Sequence, residues 1–281
     1  MGLVLHCLHR WHDDHKGGPV KHLPTRGALL AAALVTAACA ITACGGPHTA
    51  KATAKPGNAT PTVPATSAST PATPSGSPLV GASPALTEEQ LTTVAETLTQ
   101  TGAPGLTEDT SAQSTGVSDE KQKVSSGGPS CATFMNALQS YAPTYAASAE
   151  VDRGYAATTT SGKESVLVSL VSHTSAADAH RTVEDVRTSA KSCPHLTAAL
   201  DGATGRMNLA PLAQPVMGDD SAVVRIGMTQ QGAAELVTTA VAQVGSTTVM
   251  VFDISPKTYD YGVTDQVTKQ AVTILSSGFA G

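Results

Sequence analysis

"AELVTTAVAQVGSTTVMVFDIS", residues 234–255, decides the fold. Two runs rich in Val, Thr and Ala, 234–244 and 247–255, flank Gly245-Ser246. A two-residue spacer beginning with Gly suits a tight β-hairpin turn, and β-branched residues suit the strands on either side. Working outward, "ESVLVSLVS" at 164–172 and "SAVVRIGM" at 221–228 repeat the strand composition. Between them "SAADAHRTVEDVRTSAKSC" at 175–193 changes period. Ser175 is placed to cap toward Asp178, and Ala179, Val183, Val186 and Ala190 recur at helical spacing, delivering Cys193 at the helix end.

Three further helices follow from the same signals. In "LTEEQLTTVAETLTQ", 86–100, Thr87 and Gln90 form a capping box, Leu86 staples onto Leu91, and Leu91, Val94 and Leu98 share a face. "PSCATFMNALQSY", 129–141, spaces Cys131, Phe134, Leu138 and Tyr141 helically, with Ser130 as a cap. "TDQVTKQAVTILSSGF", 264–279, closes the chain with Val267, Ala271 and Ile274 inward. Hairpin strands mixed with flanking helices predict an α+β fold, an antiparallel β-sheet packed with helices.

That domain occupies residues 85–281, 197 of the 281 residues, long enough to bury about 70% of its unfolded surface. From Pro84 onward, eleven Lys and Arg stand against twenty Asp and Glu, a net charge of −9. Nucleic acid is therefore an unsuitable partner.

The segment before the domain has a different composition. "RGALLAAALVTAACAITACGG", residues 26–46, contains an apolar run of about 16 residues, whereas a membrane-spanning helix needs about 20. Lys21, His22 and Arg26 precede it, and Ile41-Thr42-Ala43-Cys44 closes it, as in a secretory signal. "ITAC" before Gly-Gly resembles the lipobox of bacterial lipoproteins. The resemblance implies a signal peptide at 20–43, cleavage before Cys44 and lipidation of its thiol with acyl chains such as palmitate. A plain secretory peptide or a helical hairpin core is the alternative for the run. Cys39 is the second candidate thiol, with Thr36 where a branched aliphatic residue is usual.

Residues 1–19 carry His6, His9, His12 and His15 near Cys7, a spacing that suggests metal. They are expected instead to be an over-extended start, with translation beginning at Val20. Residues 44–84 are mostly Ala, Thr, Ser, Pro and Gly, too poor in apolar side chains to fold, and are expected to be a disordered tether. Such a tether reaches roughly 35 Å as flexible coil and about 120 Å as polyproline II. With Cys7, Cys39 and Cys44 removed or acylated, Cys131 and Cys193 remain, and in an exported chain this pair is expected to form a disulfide.

"LTEEQL", "SCATFMNAL", "LVSLVSHTSAADAHRTVEDVRTSAKSCP" and "AVAQVGSTTVMVFDIS" together resemble the extracytoplasmic sensor domain of mycobacterial PknH-type kinases and related actinobacterial lipoproteins. The resemblance implies a central antiparallel sheet with helices on it and a cleft for an unidentified ligand. Members commonly carry two disulfides and a Trp ahead of the helix-end cysteine. This chain has one available pair and Ala190 in that neighbourhood, so no ligand residue is transferred.

No hydrolase motif, metal-binding His-Glu-x-x-His or phosphate-binding Gly loop is present. His173, His180 and His195 are expected to be solvated or capping groups. Glu88-Glu89, Glu108-Asp109 and Asp219-Asp220 are expected to be solvated faces, because neighbouring side chains point apart. "YDYG", 259–262, is an aromatic loop expected to pack on its own sheet.

The resulting expectation is a lipid-anchored module on the extracytoplasmic face of the cell membrane that binds or senses a small molecule, glycan or peptide. No catalytic residue, metal or cofactor is assigned to it. The alternative is an envelope hydrolase or transferase. An apolar cleft without a titratable cluster favours the first, and a close Ser/His/Asp or metal-like group favours the second.

Overall fold

The computed structural model describes residues 84–100, 105–159, 162–200, 203–255 and 261–278. The expected start, signal peptide, Cys44 lipidation and all but the last residue of the tether lie outside the described residues. In chain order the elements are α1 (Glu88–Gln100), β1 (Thr107–Thr115), β2 (Val124–Ser126), α2 (Pro129–Leu138), α3 (Ala142–Tyr145), β3 (Ala147–Thr159) and β4 (Gly162–His173). They continue with α4 (Ala176–Ser192), β5 (His195–Leu200), β6 (Ala203–Leu212), β7 (Asp220–Gln230), β8 (Ala233–Val244), β9 (Thr247–Ser255) and α5 (Tyr261–Gly278).

The strands form one antiparallel sheet in the order β1-β3-β4-β9-β8-β7-β6-β5-β2. The expected hairpin is its centre: β8 and β9 pair Val244 with Thr247 across Gly245-Ser246, and Gly245 takes a φ of 57°. Glycine meets that requirement without the Cβ penalty. The Asp219 carboxylate accepts the Gly245 N–H at 2.7 Å and holds the turn.

Helices cover both faces, so every residue of β9 is buried. On one face α1 and α5 bury Leu91, Val94, Leu98, Val267 and Ala271 against Val166, Val168, Val249 and Val251. On the other, α2 and α4 bury Phe134, Val183 and Val186 against Leu167, Met250 and Phe252. The alternation of "VMVFDI" thus supplies two cores at once. The predicted caps of α1 and α4 are present: Thr87 N–H donates to Gln90 Oε1 at 2.8 Å, and Ser175 accepts the Asp178 N–H at 3.2 Å.

Four local expectations are corrected. Ser130 lies inside α2, whose N-cap is Gly128 with Pro129 opening the helix, where its missing N–H costs nothing. Tyr141 is not on that helix, which ends at Leu138; it is the N-cap of α3. Tyr261 and Gly262 open α5 rather than forming a loop, while Tyr259 and Asp260 lie outside the described residues. On α5, Leu275 is buried and Ile274 only partly so.

The Cys131–Cys193 disulfide is present, joining α2 to the C-cap of α4 with Cα atoms 5.1 Å apart. Both cysteines are fully buried. Because α2 makes its main helix contact with α4, the bridge fixes one cover of this face to the other.

Candidate functional site

Between α2 and the sheet lies a cavity of about 140 Å³. Its body is apolar: Met135 and Leu138 descend from α2, and Met207, Ile226, Met228 and Phe252 rise from β6, β7 and β9. Strand period explains the wall, since Met207 pairs with Met228 and Ile226 with Val237 on a single sheet face.

The end at β3 has different chemistry. Glu150 and Asp152 are two residues apart on that strand and point to the same face. They are only 9% and 8% exposed. Ser114 donates to Asp152 Oδ2 at 2.7 Å, and Ser169 to Glu150 Oε1 at 3.3 Å. Asp152 Oδ1 and Glu150 Oε2 are buried with no hydrogen-bond partner. Among the described residues lining the cavity there is no Lys, Arg or His. Arg153, the next residue, turns its guanidinium to the Asp152 backbone carbonyl at 2.9 Å.

Burial, followed by the adjacent Asp152 charge, pushes the Glu150 carboxyl up to about 8. Burial raises Asp152 as well, against the stabilising bond from Ser114. Two adjacent buried carboxyls resist ionising together, because each charge is desolvated and repels the other. Between about pH 4.5 and about 8 the folded Glu150 keeps a proton that the unfolded chain has released. Stability is therefore expected to fall as pH rises through that window, by at most about 1.4 kcal/mol per pH unit. Glu150→Gln removes the Glu150 share of this dependence and is expected to raise stability at pH 8 by about 2 kcal/mol. Thermal unfolding from pH 5 to 8 of both proteins checks it; parallel curves would refute it.

The histidines stand outside this cavity lining. His173, expected to be a solvated or capping group, is fully buried at the end of β4. Its Nδ1–H donates to the Tyr145 carbonyl at 2.8 Å, leaving Nε2 to accept the Thr248 hydroxyl at 2.9 Å. Burial holds the imidazole below its ordinary pKa. Here the native state binds fewer protons, so stability is expected to fall as pH drops below about 6.5. His173→Ala, which leaves a void and two unpaired groups, is expected to cost about 3 kcal/mol in urea denaturation. His195 is exposed, 2.7 Å from Asn208 Oδ1, and His180 lies on the surface of α4.

The carboxylate pairs chosen from sequence do not meet at the cavity. Glu88-Glu89 and Glu108-Asp109 are exposed as expected. Asp219-Asp220 is more than a solvated face: Asp219 holds the hairpin turn, and Asp220 bonds Arg187, which also bonds Glu184. Among the described residues no group of three or more His, Cys, Asp or Glu side chains could hold a metal ion.

Sequence reasoning passed over Glu150 and Asp152. The available signal was "AEVDRGY", in which polar and apolar residues alternate as in a strand, but such a polar face ordinarily meets solvent. The segment 114–122 and α2 cover it here.

No protein-family model matches the chain and no curated protein matches it. Among solved structures it is similar to the crystal structure of the extracellular domain of PknH from Mycobacterium tuberculosis, with 14% identity and a TM-score of 0.48, over 69% of this chain and 98% of that chain. It is also similar to an uncharacterized protein from Mycobacterium smegmatis, the Rv0999 ortholog, with 14% identity and a TM-score of 0.40, over 65% of this chain and 94% of that chain. The first is the kind of domain that the sequence pattern resembles.

Proposed function

We propose that this chain is a membrane-anchored extracytoplasmic lipoprotein whose folded domain serves as a non-catalytic ligand-binding or sensing module of the cell envelope. The observation carrying this reading is the cavity beneath α2, apolar along its length with polar groups gathered at one end. That is the usual build of a small-molecule site, in which apolar walls bury the ligand and a few polar atoms orient it. The signal-like segment ending at Cys44 and the buried disulfide both support an oxidising compartment outside the cytosol.

One observation favours the alternative, an envelope hydrolase or transferase. A raised Glu150 beside Asp152 is a carboxyl held protonated, the form that a general acid takes. Among the described residues, no imidazole lines the cavity beside Ser114 and Ser169, the hydroxyls bonded to the pair, to make either a nucleophile.

Native mass spectrometry of the full chain extracted from host membranes separates the two. Binding predicts an added mass that disappears when Ile226→Trp fills the cavity. Turnover of envelope glycan or peptide that Glu150→Gln abolishes would instead establish the enzyme.

A further inference from the structure

We infer that the cavity takes a small organic cation: an ammonium group seated between Glu150 and Asp152, carried on an apolar body about the size of a benzene ring. This deepens the binding reading above and rests on it.

The ammonium end follows from the unmatched oxygens. Glu150 Oε2 and Asp152 Oδ1 are acceptors when ionised, both carboxyls are more than nine-tenths buried, and neither atom has a partner. Buried carboxylates are ordinarily paired or hydrogen-bonded, since desolvation of the charge otherwise goes uncompensated. Ser114 and Ser169 donate to the other two oxygens, the Ser118 backbone N–H also favours the Glu150 charge, and Arg153 acts on Asp152 only from outside the cavity; among the described lining residues there is no cation. An R–NH₃⁺ group offers three donors and one positive charge, which satisfies both free oxygens. Protonation relieves the charge of the pair, as the raised Glu150 indicates, and an ammonium would take the place of the proton.

The apolar body follows from the walls. A dry cavity of about 150 Å³ accommodates benzene, and this one measures about 140 Å³. Met135, Met207 and Met228 supply adaptable thioether contacts, and Phe252 a ring. A hard divalent cation suits the site poorly. Calcium needs about six to eight oxygens, usually with several carboxylates, whereas only two carboxyls meet here and no third acidic side chain joins them among the described residues.

The probes are benzylammonium, benzyl alcohol and benzoate, matched in shape and differing in charge. Each is titrated calorimetrically at pH 7.5 into the full chain in lipid nanodiscs, with empty nanodiscs as reference. Benzylammonium is expected to bind at least tenfold more tightly than benzyl alcohol, and benzoate not detectably. The double variant Glu150→Gln with Asp152→Asn keeps side-chain shape and is expected to erase that tenfold difference, bringing benzylammonium down to the affinity of benzyl alcohol. A cooperative thermal unfolding transition no lower than that of wild type shows that the variant is folded.

Equal affinity for the cation and the alcohol in wild type would overturn the cation assignment and leave the binding reading standing. So would cation binding that survives the double variant, or calcium binding that displaces the ammonium. Failure of all three probes to bind, with Ile226→Trp carrying the same copurified mass as wild type, would remove the cavity as the binding site altogether.

Discussion

Replacing Cys44 by Ala is expected to move the protein from the membrane fraction to the soluble one. The apolar run before Cys44 is short for a span, and no helix among the described residues is long and apolar enough to cross a membrane. On the proposed lipoprotein reading, membrane residence depends on acyl chains. At about 0.8 kcal/mol per buried CH₂, two chains of roughly fifteen carbons contribute on the order of 20 kcal/mol, and one chain alone binds reversibly. The loss should therefore be nearly complete. Cys39→Ala is expected to leave localisation unchanged. Detergent phase separation of wild type and both variants gives the reading. A Cys44→Ala protein that remains with the membranes would mean that an uncleaved apolar run or a protein partner holds it.

Joint replacement of Cys131 and Cys193 by Ala is expected to cost the domain about 4 kcal/mol, the entropy of closing a loop of this length in the unfolded chain. The bridge spans 62 sequence positions and has both ends fully buried. For a domain of this size the loss lowers the unfolding temperature by about 10 °C. The effect should concentrate at α2, because the bridge ties that helix to α4 and α2 supplies Met135 and Leu138 to the cavity wall. Calorimetry of the double variant measures the temperature, and amide exchange across residues 129–138 measures the local part. An unchanged midpoint would show that packing of α2 on α4 suffices without the covalent link.

Cys44 is thus a proposed anchor, and the Cys131–Cys193 bridge a brace inside the folded domain. The cavity depends on the second. Its polar end is built on β3, but its lid is a helix whose placement the disulfide fixes.

Local chemistry alone determined the central elements of this protein. The Gly245-Ser246 turn needs only the preference of one residue for positive φ, and the Ser175 cap needs an oxygen three residues from an unpaired N–H. The period of Ala179, Val183, Val186 and Ala190 marks a buried stripe within one segment, and Cys131 and Cys193 are the two cysteines within the predicted domain. Each is settled by residues close together or by simple counting. Tertiary structure decided the rest. "TEDTSAQST" carries no apolar strand pattern, and β1 exists because it pairs with β3, where Gly154 leaves room for Ala112, a fit that any Cβ would break at 2.3 Å. The same long-range pairing turned Glu150 and Asp152 from what reads as a solvent face into a buried pair. Burial is a property of what covers a side chain, and α2 and the 114–122 segment that do the covering are brought there only when the sheet assembles.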